Sequence, residues 1–201
     1  MTITPLTDEE QKELWRLQRF YWREAIRCED AKAYLAGCVM LGSALETILI
    51  LMIDVHSEEA EKTGMVPIHK GKPKPLLKWE LVELLRVVKA AGWLPTALDL
   101  NDAWNWRKAK VGDYAEVVRM MRNLAHPARY LRDHTGRRVT SKYLQRQFEV
   151  VLACRDWLAA HNNRELLKQI EEEERKTDPY KKTTTAPLFK PKMGDGKSVS
   201  R

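Results

Sequence analysis

Arg119-Met-Met-Arg122-Asn123-Leu-Ala-His126-Pro127 places two guanidinium groups, an amide and an imidazole within eight residues. On a helix over residues 113 to 126, turning about 100° per residue, Arg119, Arg122 and His126 point within about 60° of one another. Asn123 and Glu116 stand at the edge of that face. Val117, Val118, Met120, Met121, Leu124 and Ala125 gather on the opposite side, toward an expected core. Cations beside a titratable imidazole can hold a phosphate and move a proton. The same spacing equally fits the wet face of an ordinary amphipathic helix.

The elements that must position this stripe can be read along the chain. Thr7-Asp-Glu-Glu10 has capping-box spacing and opens a first helix through Leu14, Leu17, Tyr21 and Ala25, ending near Cys28. Asp30 is the expected cap of a second helix, almost wholly apolar from Ala33 to Ile53. That stretch is long enough to cross a bilayer. It carries Glu46 at its middle, however, where an ionised carboxylate is costly in lipid, and no other segment could partner it there. It reads instead as the central helix of a bundle, with no membrane among the expected partners. Gly64 to Pro75 reads as an exposed loop and Leu76 to Ala91 as a third helix stopped by Gly92. Trp93 to Ala109 reads as an irregular connection whose tryptophans Trp93, Trp104 and Trp106 plug the bundle's end or, if exposed, stack on bases. Asp113 is the expected cap of the Arg/His helix. Pro127 should stop or kink that helix around His126. Arg137 and Arg138 sit in a turn after Gly136, and Ser141 to His161 forms a last core helix that Arg164 to Lys176 extends. No alternating strand pattern is convincing. The expected fold is all-α, with a helical domain over 1–176 and a disordered basic tail over 177–201.

Charge and cysteine usage narrow the function. Of the formal +7, the segment from Arg175 to Arg201 contributes eight Lys/Arg against two Asp/Glu, leaving +1 for the preceding residues. Yet Trp104 to Arg146 holds eleven basic and three acidic residues. A basic concentration centred on the Arg/His helix suits a polyanion. Cys28, Cys38 and Cys154 are far apart, without a CxxC pair, and suit a reducing cytoplasmic compartment. The first residues lack a basic segment followed by an apolar run, so no signal peptide is expected. There is no Gly-rich phosphate loop or cofactor fingerprint. His56, His69, His134 and His161 show no metal-ligand spacing, so neither a cofactor nor a metal is expected.

Leu41-Gly-Ser-Ala-Leu-Glu46 on an apolar second helix, followed by Arg122-Asn-x-x-His126 on a later one, resembles the HEPN superfamily of bacterial and archaeal helical proteins, over roughly residues 30 to 160. The resemblance implies a four- to five-helix bundle that commonly dimerises. Many members are metal-independent endoribonucleases of toxin–antitoxin, abortive-infection and phage-defence systems; others are inactive RNA-binding or assembly domains. The family's catalytic Arg and His are separated by four to six residues, with a polar residue often following the Arg. Arg122 has Asn123 after it but only three residues before His126. Arg119 has six intervening residues but is followed by Met120. This is a variant of the motif.

In-line attack of a 2′-OH on phosphate needs a proton acceptor, a proton donor and cationic stabilisation of the phosphorane. His126 fits either proton role, Arg119 and Arg122 the non-bridging oxygens, and Asn123 the orientation of the imidazole. One histidine does not easily serve as both acid and base, so a symmetric homodimer would help. Glu46 reads either as a buried partner of one arginine or as an orienting group of the site. The expected function is an RNA-binding protein, with endoribonuclease activity and an antitoxin partner as its extension. The alternative is a catalytically silent helical dimerisation module whose Arg/His motif is structural. A DNA-binding reading is weaker, since no recognition helix is evident.

Overall fold

The computed structural model describes residues 2–98, 104–133 and 138–177. The fold is all-α: α1 (Asp8–Asp30), α2 (Tyr34–Val55), α3 (Ser57–Lys62), α4 (Leu81–Ala90), α5 (Val111–Asn123), α6 (Pro127–Asp133) and α7 (Ser141–Thr177). A two-residue antiparallel pair, β1 (Ile68–His69) with β2 (Lys72–Pro73), lies within the loop after α3. Lys70 and Gly71 turn it with φ of 50° and 77°, the double positive φ of a tight hairpin turn.

Residues 1–163 form one compact unit and 164–201 a second. In the second, Lys168 Nζ pairs with Glu165 one turn earlier on α7, at 2.7 Å. The expected domain boundary at 176/177 falls at the last described residues, and the expected disordered tail, like His134, Gly136 and Arg137, lies outside them.

Helix α2 is the centre of the first unit, packed against α1, α4 and α5. Leu41, Ala44, Leu45, Leu49 and Ile53 are fully buried. Its composition would suit a membrane span, but 72% of the apolar window is covered by the protein itself. The polar side chains inside it are satisfied. Thr47 Oγ1 donates to Ser43 O at 2.6 Å and Ser43 Oγ to Val39 O at 3.2 Å, each bonding back one turn. Gly37 lets α7 approach: a Cβ there would stand 2.8 Å from Leu144 Cδ2.

The α1 capping box forms as the sequence predicts, with Thr7 N donating to Glu10 Oε2 at 2.8 Å and Glu10 N to Thr7 Oγ1 at 3.3 Å. Asp30 is not a cap. It ends α1, and α2 begins after Ala33 with no side-chain cap, the chain turning through Lys32 at φ 58°. Ile3 also belongs to the core, and Leu6 packs against it. Ile3 is buried, its N–H donates to Glu61 Oε1 at 2.7 Å, and Leu6 N–H donates to Asp54 Oδ1 at 2.7 Å. Asp54 takes a second bond from Gln11 Nε2 at 2.8 Å. Cys38 and Cys154 are buried, free thiols whose pKa burial pushes up to about 12, so they behave as small core residues.

The expected third helix is shorter than its apolar pattern suggested. Leu76–Lys78 is a 3₁₀ turn, Trp79 is extended, and α4 starts at Leu81 behind Glu80, whose N–H donates to Glu83 Oε2 at 2.7 Å. Of the three tryptophans expected to close the bundle's end, only Trp93 is buried; Trp104 and Trp106 are 51% and 68% exposed.

Candidate functional site

Helix α5 starts three residues earlier than its sequence signal. Asp113 is not the cap but lies in the first turn, with Lys110 preceding the helix. Its carboxylate is nearly fully buried and accepts four bonds: Lys110 N at 2.8 Å, Ala97 N at 2.9 Å, Leu98 N at 3.3 Å and a short contact from Thr96 Oγ1. Burial alone would raise its pKa. The donors from Lys110, Thr96, Ala97 and Leu98 outweigh that and hold it below the ordinary value. Gly112 N–H adds a bond to Pro95 O at 2.8 Å, so α5 leaves the 95–98 segment with a fixed start and register.

That register turns the arginines of the stripe inward. Within α5 only Met120 is exposed, while Gly112, Asp113, Ala115, Val118 and Met121 are buried. The wet-face reading therefore fails for Arg119 and Arg122, whereas His126, beyond the end of α5, is exposed. The placing of Met120 in the core fails too, and Ala125 is exposed because the helix has ended before it. The two arginines face α2 and α4. Arg119 Nε donates to Glu116 Oε2 at 2.7 Å, and Lys89 Nζ of α4 meets Glu116 Oε1 at 3.3 Å. Arg122 Nη2 reaches Glu46 Oε2 of α2 at 2.6 Å.

The crossing of Arg122 over α2 depends on Gly42, one turn before Glu46. A Cβ at Gly42 would lie 2.6 Å from Arg122 Cβ, 3.0 Å from its Cγ and 3.1 Å from its Cδ. The Leu41–Glu46 stretch thus does two things on one face: Gly42 admits the arginine's stem, and Glu46 receives its head. Burial pushes the Glu46 carboxyl up, and the Arg122 charge pulls it back only in part. A folded pKa above the unfolded one makes a carboxyl's contribution largest at low pH, lost as pH rises through the folded value. Wild-type stability relative to Glu46→Gln should therefore fall as pH rises above the ordinary Glu value of 4.5, in denaturant titrations across the acid range. A difference rising with pH would contradict burial as the dominant influence.

His126 sits at the joint between helices. Helix α5 ends at Asn123, Pro127 is the first residue of α6, and the intervening turn is closed by His126 N donating to Asn123 O at 3.1 Å. Proline suits a first helical position because its missing N–H would have no helical partner there. His126 O accepts from Tyr130 N at 2.9 Å, so the backbone of His126 starts α6 while its ring is exposed.

Glu46, Arg119, Arg122, Asn123 and His126 all line one cavity of about 740 Å³. The sequence reading did not anticipate its remaining wall, Trp79, Glu80, Leu81 and Val82 at the start of α4, with Arg129 of α6. A signal for the start of α4 exists in Glu80-x-x-Glu83, a capping-box spacing with Glu in the cap position. Three arginines face two carboxylates in the lining, so these groups give the cavity a small positive excess. Trp79 is fixed from behind, its Nε1–H donating to Lys74 O at 2.7 Å. Comparison of the chain with protein-family models, with curated proteins and with solved structures finds no match.

Proposed function

We propose that the cavity between α2, α4, α5 and α6 is a HEPN-like site that binds RNA phosphate, and that it cleaves RNA without a metal ion. The observation that carries this reading is the meeting, in one cavity, of Arg119, Arg122, Asn123 and His126 with Glu46 from the distant α2. His126 is the proton-transfer group, being exposed and at a helix junction where a substrate can reach it. Arg122 and Arg119 hold the non-bridging oxygens, and their carboxylate partners fix their orientation in advance of binding. Attack of the 2′-oxygen on phosphorus releases the 5′-oxygen, which takes a proton, and leaves a 2′,3′-cyclic phosphate. Two proton transfers call for two groups, which a homodimer apposing two cavities would supply. The proposed setting is cytoplasmic, in a toxin–antitoxin or phage-defence system.

Purified protein with a mixed single-stranded RNA, in EDTA, tests this by retention and by end-group analysis. Affinity should fall steeply with salt, and Arg122→Ala should reduce the slope of log K against log salt by about 0.7. His126→Ala should leave retention near wild type and abolish cyclic-phosphate ends. Retention with no cleavage by wild-type protein would leave an RNA-binding module; no retention would remove RNA altogether.

A second reading has its own support. The Arg122–Glu46 pair over Gly42 is what a structural brace between α2 and α5 requires, and Arg119 is likewise tied to Glu116. On that reading the protein is a silent helical interaction module. Arg122→Ala would then lower stability without changing any nucleic-acid affinity.

A further inference from the structure

At the far end of α2 a second polar cluster forms, using no residue of the cavity. It starts ten residues beyond Glu46, about 15 Å along the helix axis. His56 stands in the turn between α2 and α3, Glu59 one turn later on α3, and His161 on α7. The expected absence of a metal-ligand spacing among the histidines reflects this separation in sequence. One ligand atom from each of these three side chains lies within 4.8 Å of the others.

The three side chains converge on one point. His56 Nε2 is 3.1 Å from Asn162 Oδ1, an oxygen that only accepts, so this nitrogen carries the proton. His56 Nδ1 then presents a lone pair to Glu59 Oε1 at 3.6 Å. A proton on Nδ1 or a metal ion between the two would each satisfy that contact. The other carboxylate oxygen, Oε2, takes the Trp93 indole N–H at 2.9 Å and lies 3.3 Å from His161 Nε2. Tetrahedral ligands about 2.0–2.2 Å from a zinc ion stand about 3.3–3.6 Å apart. Each imidazole nitrogen lies at such a distance from a different oxygen of Glu59, so an ion here is held by both oxygens of the carboxylate or by one after a small rotation. The rings are held in place: His56 and His161 are 5.0 Å apart between centroids, and Trp93 lies 5.5 Å and 5.3 Å from them. The two imidazoles are nearly buried, whereas Glu59 is 34% exposed, which gives an ion a path in and room for a water.

We propose that His56, Glu59 and His161 form a site for a divalent transition-metal ion, with Asn162 and Trp93 orienting two of the ligands. Two imidazoles and one carboxylate favour zinc, with a water completing four-coordination. The ion joins the α2–α3 turn to α7 and acts as a structural clamp. Asn162 holds His56 in the tautomer that leaves Nδ1 free to bind, as an outer-shell acceptor does for a ligating histidine.

The test uses untagged full-length protein, stripped with chelator and titrated with zinc chloride. One zinc per chain should bind, and Tm should rise by about 5–10 °C at about 100-fold excess over Kd. Cobalt substitution should give the intense visible bands of a tetrahedral site, and zinc-edge X-ray absorption should show two imidazoles. His56→Gln and His161→Gln should each abolish that stoichiometric binding, and Asn162→Ala should weaken it about 10–100-fold. His69→Gln, in the exposed hairpin, should leave it unchanged. Absence of saturable binding, or binding that survives both histidine changes, would overturn the proposal. If those variants do not fold, an absorption spectrum of the wild-type protein without imidazole scattering would overturn it as well. None of these readouts involves RNA, so the clamp and the ribonuclease reading stand or fall separately.

Discussion

Replacing Gly42 by leucine should cost about 3 kcal/mol or more of folding stability, and even alanine should destabilise. Alanine in a helix interior ordinarily gains about 1 kcal/mol over glycine. Here its Cβ would meet Arg122 Cβ at 2.6 Å, an atom fixed to the α5 backbone that cannot swing aside. Helix α5 must retreat from α2, and Arg122 loses its reach to Glu46. Denaturant unfolding of Gly42→Ala should show a lowered midpoint with an unchanged slope. In an Arg122→Gly background the obstructing side chain is gone, and Gly42→Ala should then be neutral or stabilising. If Gly42→Ala stabilises the wild-type protein, α5 does not cross α2 as closely as described, and the brace between Arg122 and Glu46 is lost with it.

Asp113→Ala should be comparably severe, about 3–4 kcal/mol, although the residue touches no part of the candidate site. It removes the acceptor shared by Thr96, Ala97, Leu98 and Lys110. Asparagine should rescue little, because its amide would direct N–H groups at donors. Because the Asp113 pKa is lowered on folding, its contribution is complete above the ordinary value of 3.8 and is lost as pH falls through the folded value. Asp113→Ala should therefore unfold with a flatter acid limb than wild type, measured by circular dichroism below about pH 4. An equally steep limb would mean that other carboxylates govern acid unfolding.

These two residues mark where local sequence was and was not enough. Thr7 and Glu10 satisfy each other within four residues, so the start of α1 is legible from them alone. Pro127 likewise foretells the break at His126, since its ring opposes continuation of α5 whatever surrounds it. Glu46 in an apolar run required a partner, and an arginine of the later helix supplies it. Asp113 looked like a cap because Asp caps helices, but besides Lys110 N its donors come from Thr96, Ala97 and Leu98, a loop fifteen to seventeen residues away in sequence, and these hold it inside the first turn. The inward turn of Arg119 and Arg122 was hidden for a related reason. Helical spacing says which residues share a face but not how many neighbours press on the helix, and α5 is flanked by both α2 and α4. The wall formed by Trp79 to Val82, and the approach of His161 to His56, arise only once distant segments are folded together.

The anchoring of residues 3 and 6 has a consequence for the order of synthesis. Their amide partners, Glu61 and Asp54, are made 58 and 48 residues later. While the chain grows, Ile3 has no burial site until α2 and α3 have emerged, and the apolar α2 is covered by α1 alone until α4 and α5 follow. Docking of Ile3 and Leu6 is thus a late event for residues made well before their partners, and until it happens part of the apolar α2 stays exposed to whatever surrounds the ribosome.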